Sequence, residues 1–263
     1  MQVYPQFVKL SFLKMLAYRL RYYTGIFTYL VHVSVYWFIW EAVFSARDHI
    51  AGFNLSQMTS YVAVGWIARS FYFNNIDRDI HSRVLSGDIA IDLLRPVDFQ
   101  LMHLSNALGE SLFRLVLFAV PAGLVICLVY PVMPPVDSLA LVGFAVATWL
   151  AFLINGQINF MIGLIAFKTR SVMGIMRVKH IAMQLLTGLI VPISFFPETL
   201  RTLLYLTPFP YIANVPLEVY LGKISSTQFY SAIGIQLMWI ISLFFLGRLL
   251  WRNSLRALVI QGG

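Results

Sequence analysis

Residues 76–99 read IDRDIHSRVLSGDIAIDLLRPVDF and form the longest continuous polar passage in an otherwise apolar chain. Apolar residues recur in it at the four-residue spacing that puts side chains on one face of an α-helix. They are Ile76, Ile80 and Val84. Asp79 and Arg83 stand one turn apart, the spacing of an ion pair on a helix surface. The first part of the passage is therefore predicted to be helical.

A break and a second helix follow. Gly87 is predicted to end the first helix, and Asp88 stands where an acidic side chain can cap a second helix over residues 89–94. Pro96 stops that helix, because proline has no backbone N–H and disfavours helical geometry at the preceding Arg95. The passage is thus predicted to form a helix, a break and a helix on a membrane surface.

The composition indicates a polytopic membrane protein. Of 263 residues, 59% are hydrophobic and only 11% are charged, whereas soluble domains have about 45–50% apolar and about 25% charged residues. The single Cys127 lies in an apolar run, which excludes a disulfide framework and a cysteine-rich metal site. The net charge of +8 comes from short basic clusters between apolar runs, a pattern typical of membrane orientation rather than of nucleic-acid binding.

A bilayer requires about 20 apolar residues per helix, and by that measure the chain has six predicted transmembrane spans. They are residues 22–44, 57–75, 104–130, 138–167, 180–197 and 229–250. Residues 1–21 mix basic and apolar side chains and are predicted to form an interfacial helix. Pro121 predicts a kink in the third span. The predicted fold class is an all-α polytopic membrane protein, with residues 1–263 in one transmembrane domain.

The distribution of Lys and Arg predicts the orientation, because positive residues stay cytoplasmic. Fourteen of them fall in residues 1–21, in residues 76–99, in the loop after the fourth span and at the carboxyl end. The alternate connections hold three. Both termini and residues 76–99 are therefore predicted to face the cytoplasm.

The loop before the last span, residues 192–217, is predicted to be a re-entrant or interfacial helical hairpin on the outer side. Its prolines are Pro192, Pro197, Pro208, Pro210 and Pro216. Its middle, residues 200–206, is too apolar for an aqueous loop and too short to cross a bilayer.

The order of these segments and one short motif carry a resemblance to a known family. A basic amino-terminal helix, six spans, a cytoplasmic helix between spans two and three, and a proline-broken hairpin resemble the permease subunits of ABC-type-2 exporters. This resemblance covers nearly the whole chain. In addition, LSGDIA at 85–90 followed by LLRPV at 93–97 is similar to the signature of the branch of daunorubicin-resistance-like and viologen-exporter-like permeases.

The resemblance implies one half of an exporter in the bacterial inner membrane. Such a permease pairs with a second six-span permease, different or identical, and two copies of a separate ATPase bind beneath them. Residues 76–99 would then be the ATPase-coupling segment. Its expected interface residues are Ile80, Arg83, Val84, Leu85, Gly87, Asp88, Asp92, Leu94, Arg95 and Pro96. Apolar contact would come from Ile80, Val84 and Leu85, and orientation from Arg83, Asp88, Asp92 and Arg95.

The chain carries no motif for hydrolysing ATP. A phosphate-binding loop requires G-x-x-x-x-G-K-[S/T], and the nearest approach, Gly222-Lys223, is followed by Ile224. The chain is therefore predicted not to be an enzyme and to bind no cofactor itself, with ATP and Mg in the partner ATPase. No metal site is predicted, because the pair of His81 and Asp77 is more typical of a helix surface than of a ligand set.

Two sets of residues are candidates for the substrate path. Span four carries three amides, Asn155, Gln157 and Asn159, beside Gly156 and Gly163. Polar residues at that depth are costly in a bilayer and face protein or water, so they contact either substrate or a neighbouring helix through hydrogen bonds.

The second set lies in span one. Tyr29, Tyr36 and Trp40 follow one face, with Glu41 nearby. An aromatic wall that ends in a carboxylate could attract a lipophilic cation through its ring quadrupoles. The alternative is that these rings are packing and interfacial residues.

The leading hypothesis is the membrane subunit of an ATP-driven exporter of an amphiphilic small molecule, drug or lipid-like compound. A membrane-embedded lipid-processing enzyme would need acidic or histidine residues converging at one membrane face, and the sequence has only scattered ones. An ion-coupled secondary transporter would need acidic residues inside the spans, whereas Glu41 and Glu110 lie near span ends. Lipid is the expected environment, and nucleic acid is not an expected partner.

Overall fold

The structure, a computed structural model, describes residues 3–17, 20–169 and 172–256, without the side chains of residues 20–24 and 26. The regular secondary structure of these described residues is helical, which confirms the predicted all-α class. The α-helices are α1 Val3–Ala17, α2 Leu20–Phe44, α3 Leu55–Tyr72, α4 Ile76–Ser86, α5 Ile89–Leu93, α6 Phe99–Arg114, α7 Val120–Val129, α8 Ser138–Leu164, α9 Met173–Leu186, α10 Glu198–Tyr205, α11 Asn214–Tyr220 and α12 Ser226–Leu255. A π-helical turn, Leu115–Ala119, joins α6 to α7, and 3-10 turns cover Ile165–Phe167 and Ile193–Phe195.

Four of the longer helices begin at a side chain that accepts a hydrogen bond from the first turn. These caps are Asn54 before α3, Asp98 before α6, Asp137 before α8 and Ser225 before α12. A helix leaves its first backbone N–H groups without partners inside the helix, and short polar side chains satisfy them. The local sequence therefore determines where these four helices begin.

Four helical stretches in the described parts of the chain are long and apolar enough to cross a membrane. They cover residues 27–44, 99–129, 138–167 and 226–255. They match the first, third, fourth and sixth predicted spans, and the protein is a multi-pass membrane protein. Neither α3, which carries several polar side chains, nor α9, which has only 14 residues, is among them. The count of six spans stays a prediction.

The predicted fifth span, residues 180–197, has the wrong boundaries. The corresponding helix, α9, ends at Leu186, and Gly188 then takes a left-handed φ of +76°. A left-handed glycine is a common helix end, and Pro192 prevents the helix from resuming at once. The apolar run that continues past Leu186 forms a turn and a 3-10 turn instead of a membrane helix.

The third predicted span contains a π-helical turn beside its proline, and the kink expected there stays a prediction. The π-helical turn Leu115–Ala119 lies just before Pro121, which stands in the first turn of α7. Proline cannot donate to the carbonyl four residues earlier, and a wider turn accommodates that missing bond.

Polar contacts mark two opposite ends of the helical body. Arg248, near the end of α12, pairs with Asp98 at the start of α6. Lys223, just before α12, donates over 2.5 Å to the carbonyl oxygen of Gly52. Because the part of α12 from residue 226 to residue 248 separates these contacts, they lie far apart. We call the end with the Asp98–Arg248 pair the basic end, since it gathers the Lys- and Arg-rich segments of the predicted topology.

At the other end, the predicted hairpin of residues 192–217 contains two short helices, α10 and α11. α11 is buried against α3 and α8, with Leu217 only 1% exposed. Leu203 of α10 and Leu206 just after it are largely exposed. Entry of this hairpin into the bilayer stays a prediction.

The amino-terminal helix α1 lies along α6. A Cβ at Gly109 would stand only 2.2 Å from the carbonyl oxygen of Val8, so the glycine lets the two backbones approach closely. The Ser11 hydroxyl also donates to Asn106 over 3.0 Å. The predicted interfacial helix of residues 1–21 is helical over Val3–Ala17, and residues 18–19 lie outside the described residues.

Candidate functional site

Residues 76–99 form the helix, break and helix that the sequence predicts. Gly87 has φ of +81°, which L side chains rarely adopt, and it makes the turn between α4 and α5. The cap predicted at Asp88 is wrong, because that residue has helical backbone angles and its side chain accepts a hydrogen bond from the Ser86 hydroxyl at 2.8 Å. α5 ends at Leu93, one residue earlier than predicted.

The inner face of α4 is anchored on α8. Ile80 is fully buried, and a Cβ at Gly163 would stand 2.9 Å from its Cδ1 atom and 3.1 Å from the Cα atom of Asp77. Gly163 therefore provides the space in which α4 packs. The sequence predicts that Ile80 contacts a partner protein, and this is corrected, because its side chain is enclosed within the chain. Val84 is half-buried against the same core.

Asp92 holds α5 against α4. Its buried carboxylate accepts a hydrogen bond from the Arg83 guanidinium at 2.5 Å and lies 3.5 Å from that of Arg95. The expected role of Asp92 at an exposed polar rim is therefore corrected to an internal one, since a buried carboxylate requires paired charges. The predicted Asp79–Arg83 ion pair is present at 3.5 Å.

The outer face of this segment exposes large apolar side chains. Leu85 and Ile91 are each 58% exposed and Leu94 is 85% exposed; we call these three residues the apolar tip. Asp88 and Pro96 are exposed beside them. Sequence reasoning did not select Ile91, although its place three residues before Leu94 puts both on one helix face.

Asp79 faces back toward α6. One of its carboxylate oxygens lies 3.2 Å from Nδ1 of His103, whose side chain is buried. Burial alone would raise the pKa of Asp79, but the His103 hydrogen bond, with the charges of His103, Arg83 and Lys14, holds this pKa below its usual value. The contact links α4 to a helix that contributes one of the long apolar stretches.

A buried polar network joins α4 to α8 and α9. The Lys179 ammonium donates to the Asp77 carboxylate over 2.6 Å and to the side-chain amide oxygen of Asn159 over 2.8 Å. The Asn159 amide in turn donates to the side chain of Asn74 over 2.8 Å. We call these four residues the inner network. Sequence reasoning missed the Asp77–Lys179 pair, which is separated by 102 residues.

The other two amides of α8 also bond to neighbouring helices. Asn155 donates to the carbonyl oxygen of Tyr72 over 2.9 Å, and Gln157 accepts from Gln100 over 2.5 Å. Both side chains are buried. For Asn155, Gln157 and Asn159 the geometry therefore favours interhelical hydrogen bonding over contact with substrate.

The aromatic face of α2 packs inside the protein. Tyr29 and Tyr36 lie 5.5 and 6.2 Å, between ring centroids, from Trp66 of α3, and Trp40 lies 5.3 Å from Phe195. Glu41 is exposed. The packing interpretation fits these contacts better than an open wall for a cation.

A cleft of about 610 Å³ opens between α4 and α9, and we call it the α4–α9 cleft. Its polar wall includes Asp77, Arg78, Arg177 and Lys179. A smaller cavity beside it reaches Asn159 and Arg69. The volume of the α4–α9 cleft falls within the range of about 300–1,000 Å³ that is usual for small-molecule pockets.

Comparison with protein families identifies the chain's relatives. The model of the ABC-2 family transporter proteins matches residues 30–262. This chain belongs to that family. No curated protein matches it significantly. The match includes α3 to α12 and most of α2, so α4, α5 and the inner network all lie inside the shared region.

Membership in the ABC-2 family fixes the class of function. The chain is a transmembrane subunit of an ABC transporter, a transport component without its own ATPase, and the family implies an ATPase partner. It therefore belongs neither with lipid-processing enzymes nor with ion-coupled secondary transporters.

Proposed function

We propose that this ABC-2 protein is one half of an exporter in a bacterial inner membrane and that residues 76–99 couple it to the ATPase. It pairs with a second six-span permease, different or identical, and two ATPase copies bind beneath the pair. The cargo is an amphiphilic small molecule, drug or lipid-like compound. The motif within residues 85–97, similar to daunorubicin-resistance-like and viologen-exporter-like permeases, supports export. Both termini face the cytoplasm in this arrangement.

The apolar tip is the observation that carries this proposal. Leu85, Ile91 and Leu94 are largely exposed in the most polar passage of the chain. Full burial of one such side chain contributes about 1.5–3 kcal/mol, so a partner that covers all three gains a substantial contact. Exposed Asp88 and half-exposed Arg95 flank the tip and can orient that partner.

The anchored inner face provides a route for motion from the ATPase into the membrane. Ile80 packs against Gly163 of α8, and Asp77 binds Lys179 of α9. Because close-packed interiors transmit displacement rather than absorb it, a push on the tip displaces α4 and, with it, α8 and α9.

The test is co-purification of the full chain with its tagged ATPase. Leu85→Asp and Leu94→Asp each remove apolar contact and add a charge that the interface would have to desolvate. We expect each to lower ATPase recovery about tenfold or more. The membrane level of the permease should not change, because both side chains are exposed.

The matched control is Leu255→Asp, at an exposed leucine near the end of α12 and outside the tip. It makes the same chemical change and should leave ATPase recovery intact. Normal ATPase recovery with both tip variants would overturn the coupling role of residues 76–99.

A further inference from the structure

The α4–α9 cleft carries an excess of positive charge. Arg78 and Arg177 line it and are exposed, and Arg69 lines the adjoining cavity. In the described parts of the chain no carboxylate lies within 4 Å of these three arginines, and the one acid in the cleft, Asp77, is bonded to Lys179. The cleft therefore has two arginines, and the adjoining cavity a third, that Asp77 does not neutralise.

The same cleft has an apolar wall. Met173 is 46% exposed and Ile181 is 70% exposed, and both line it together with Phe73. Methionine side chains adapt their shape to different apolar groups. A ligand that fits this wall and the arginines must combine an anionic group with an apolar portion.

We propose that the α4–α9 cleft binds an amphiphile with an anionic headgroup, of the phospholipid type. The headgroup lies between Arg78 and Arg177, whose guanidinium groups match a phosphate in shape and charge. The acyl portion follows Met173 and Ile181. This inference rests on the proposed function and deepens it, because it assigns the chemical class of an amphiphile that the permease takes up.

The position of the cleft supports a lipid as the occupant. It lies on α4 and α9, beside Lys179 and Asp77, in the part of the molecule where the basic segments gather. Basic pockets between membrane helices at the cytoplasmic side are suited to anionic headgroups. The aromatic face of α2, the candidate for a cationic ligand, is packed against Trp66 and does not compete as a site.

The test measures lipid capture by the full chain, purified with its permease partner but without ATPase. Nanodiscs of phosphatidylcholine receive traces of photoactivatable phosphatidylglycerol or, in parallel, photoactivatable phosphatidylcholine. We expect phosphatidylglycerol to crosslink to α4 and α9 in clear preference to phosphatidylcholine. Arg78→Gln with Arg177→Gln should lower this crosslinking about tenfold or more, because each arginine contributes a charge-assisted hydrogen bond.

The control variant is Arg252→Gln, which removes an exposed arginine of α12 that does not line the cleft. It should leave crosslinking unchanged. An equal loss with this variant would indicate general attraction of anionic lipid to the basic surface and would overturn the proposal. Equal crosslinking of the two lipids would overturn it as well.

Competition separates a lipid from a free anion. Short-chain phosphatidylglycerol should displace the probe, whereas glycerol phosphate or inorganic phosphate at the same concentration should not. Displacement by inorganic phosphate alone would overturn the apolar half of the proposal, and Ile181→Gln should weaken lipid capture if that half is correct. The assay contains no ATPase, so its failure leaves the co-purification test, and with it the proposed function, standing.

Discussion

Two polar clusters fix α3 and the segment after it, one near each end of that helix, and they differ in charge. Near its start, the Tyr61 hydroxyl lies 2.6 Å from the carbonyl oxygen of Gly188 and 3.0 Å from the side chain of Asn214. Just beyond its end, the inner network contains the Asp77–Lys179 ion pair. Both clusters are buried, but only one holds full charges.

The difference in charge determines how much free energy it costs to separate the partners of each cluster. The neutral cluster loses one ordinary hydrogen bond when a partner is removed, which costs about 0.5–1.5 kcal/mol. Breaking a buried ion pair from one side leaves a charge without compensation, which costs about 3–5 kcal/mol. The inner network is therefore the more costly of the two clusters to pull apart, whereas the neutral cluster can lose a partner at a smaller cost.

The largest expected effect comes from Lys179→Met. It leaves Asp77 buried without a cation, so we expect a loss of about 3–5 kcal/mol of stability, measured by thermal unfolding in detergent. The double variant Asp77→Asn with Lys179→Met removes both charges and should recover most of this loss. An unchanged melting temperature in the single variant would mean that the pair contributes nothing.

A smaller effect is expected from Gly163→Ala. The added Cβ would crowd Ile80 and the backbone of Asp77, at a cost of about 1–3 kcal/mol for overpacking. Better helix propensity offsets roughly 1 kcal/mol of that cost, which leaves a net loss of about 0–2 kcal/mol. Gly174→Ala is the control, because no atom lies within 4 Å of its added Cβ. Equal unfolding temperatures for the two variants would contradict close packing of α4 on α8.

Tyr61→Phe tests the neutral cluster and should cost about 1 kcal/mol. The substitution removes only the hydroxyl that bonds to Gly188 and Asn214. Tyr230→Phe, at a tyrosine that is 72% exposed, should have no effect on unfolding. If Tyr61→Phe costs as much as Lys179→Met, the contrast between the two clusters is wrong.

The smallest effect concerns pH and Asp79. Because the folded protein lowers the pKa of this carboxyl, its contribution to stability is present above the unfolded pKa, near 4. The contribution is lost as the pH falls below that value through the folded pKa. Unfolding between pH 6 and pH 3 should therefore depend less on pH in Asp79→Asn than in the original chain. The same slope in both would exclude Asp79 as a contributor.

The sequence predicted what depends on neighbouring residues. The break at Gly87 and the end of α5 before Pro96 follow from local backbone chemistry, and the structure has both. The prediction that the chain has no ATPase of its own follows from the missing phosphate-binding motif, and membership in the ABC-2 family supports it.

Features that depend on residues far apart in the sequence could not be predicted in this way. Ile80 and Leu85 are both apolar residues of one short helix, and the position of Gly163, more than seventy residues later, decides that Ile80 is the buried one. The fifth span was misplaced because an apolar run has the same composition in a helix and in a buried turn. The backbone of Gly188, held by Tyr61, ends the helix there.

The packing of α1 on α6 has a consequence for the order of synthesis. The residues that join these helices, such as Ser11 and Asn106, are separated by 95 positions. At a translation rate of about 5–20 residues per second, the second partner leaves the ribosome about 5–20 s after the first. During that interval α1 has no α6 to bind. Docking at Gly109 therefore has to wait until residues 99–114 have been made.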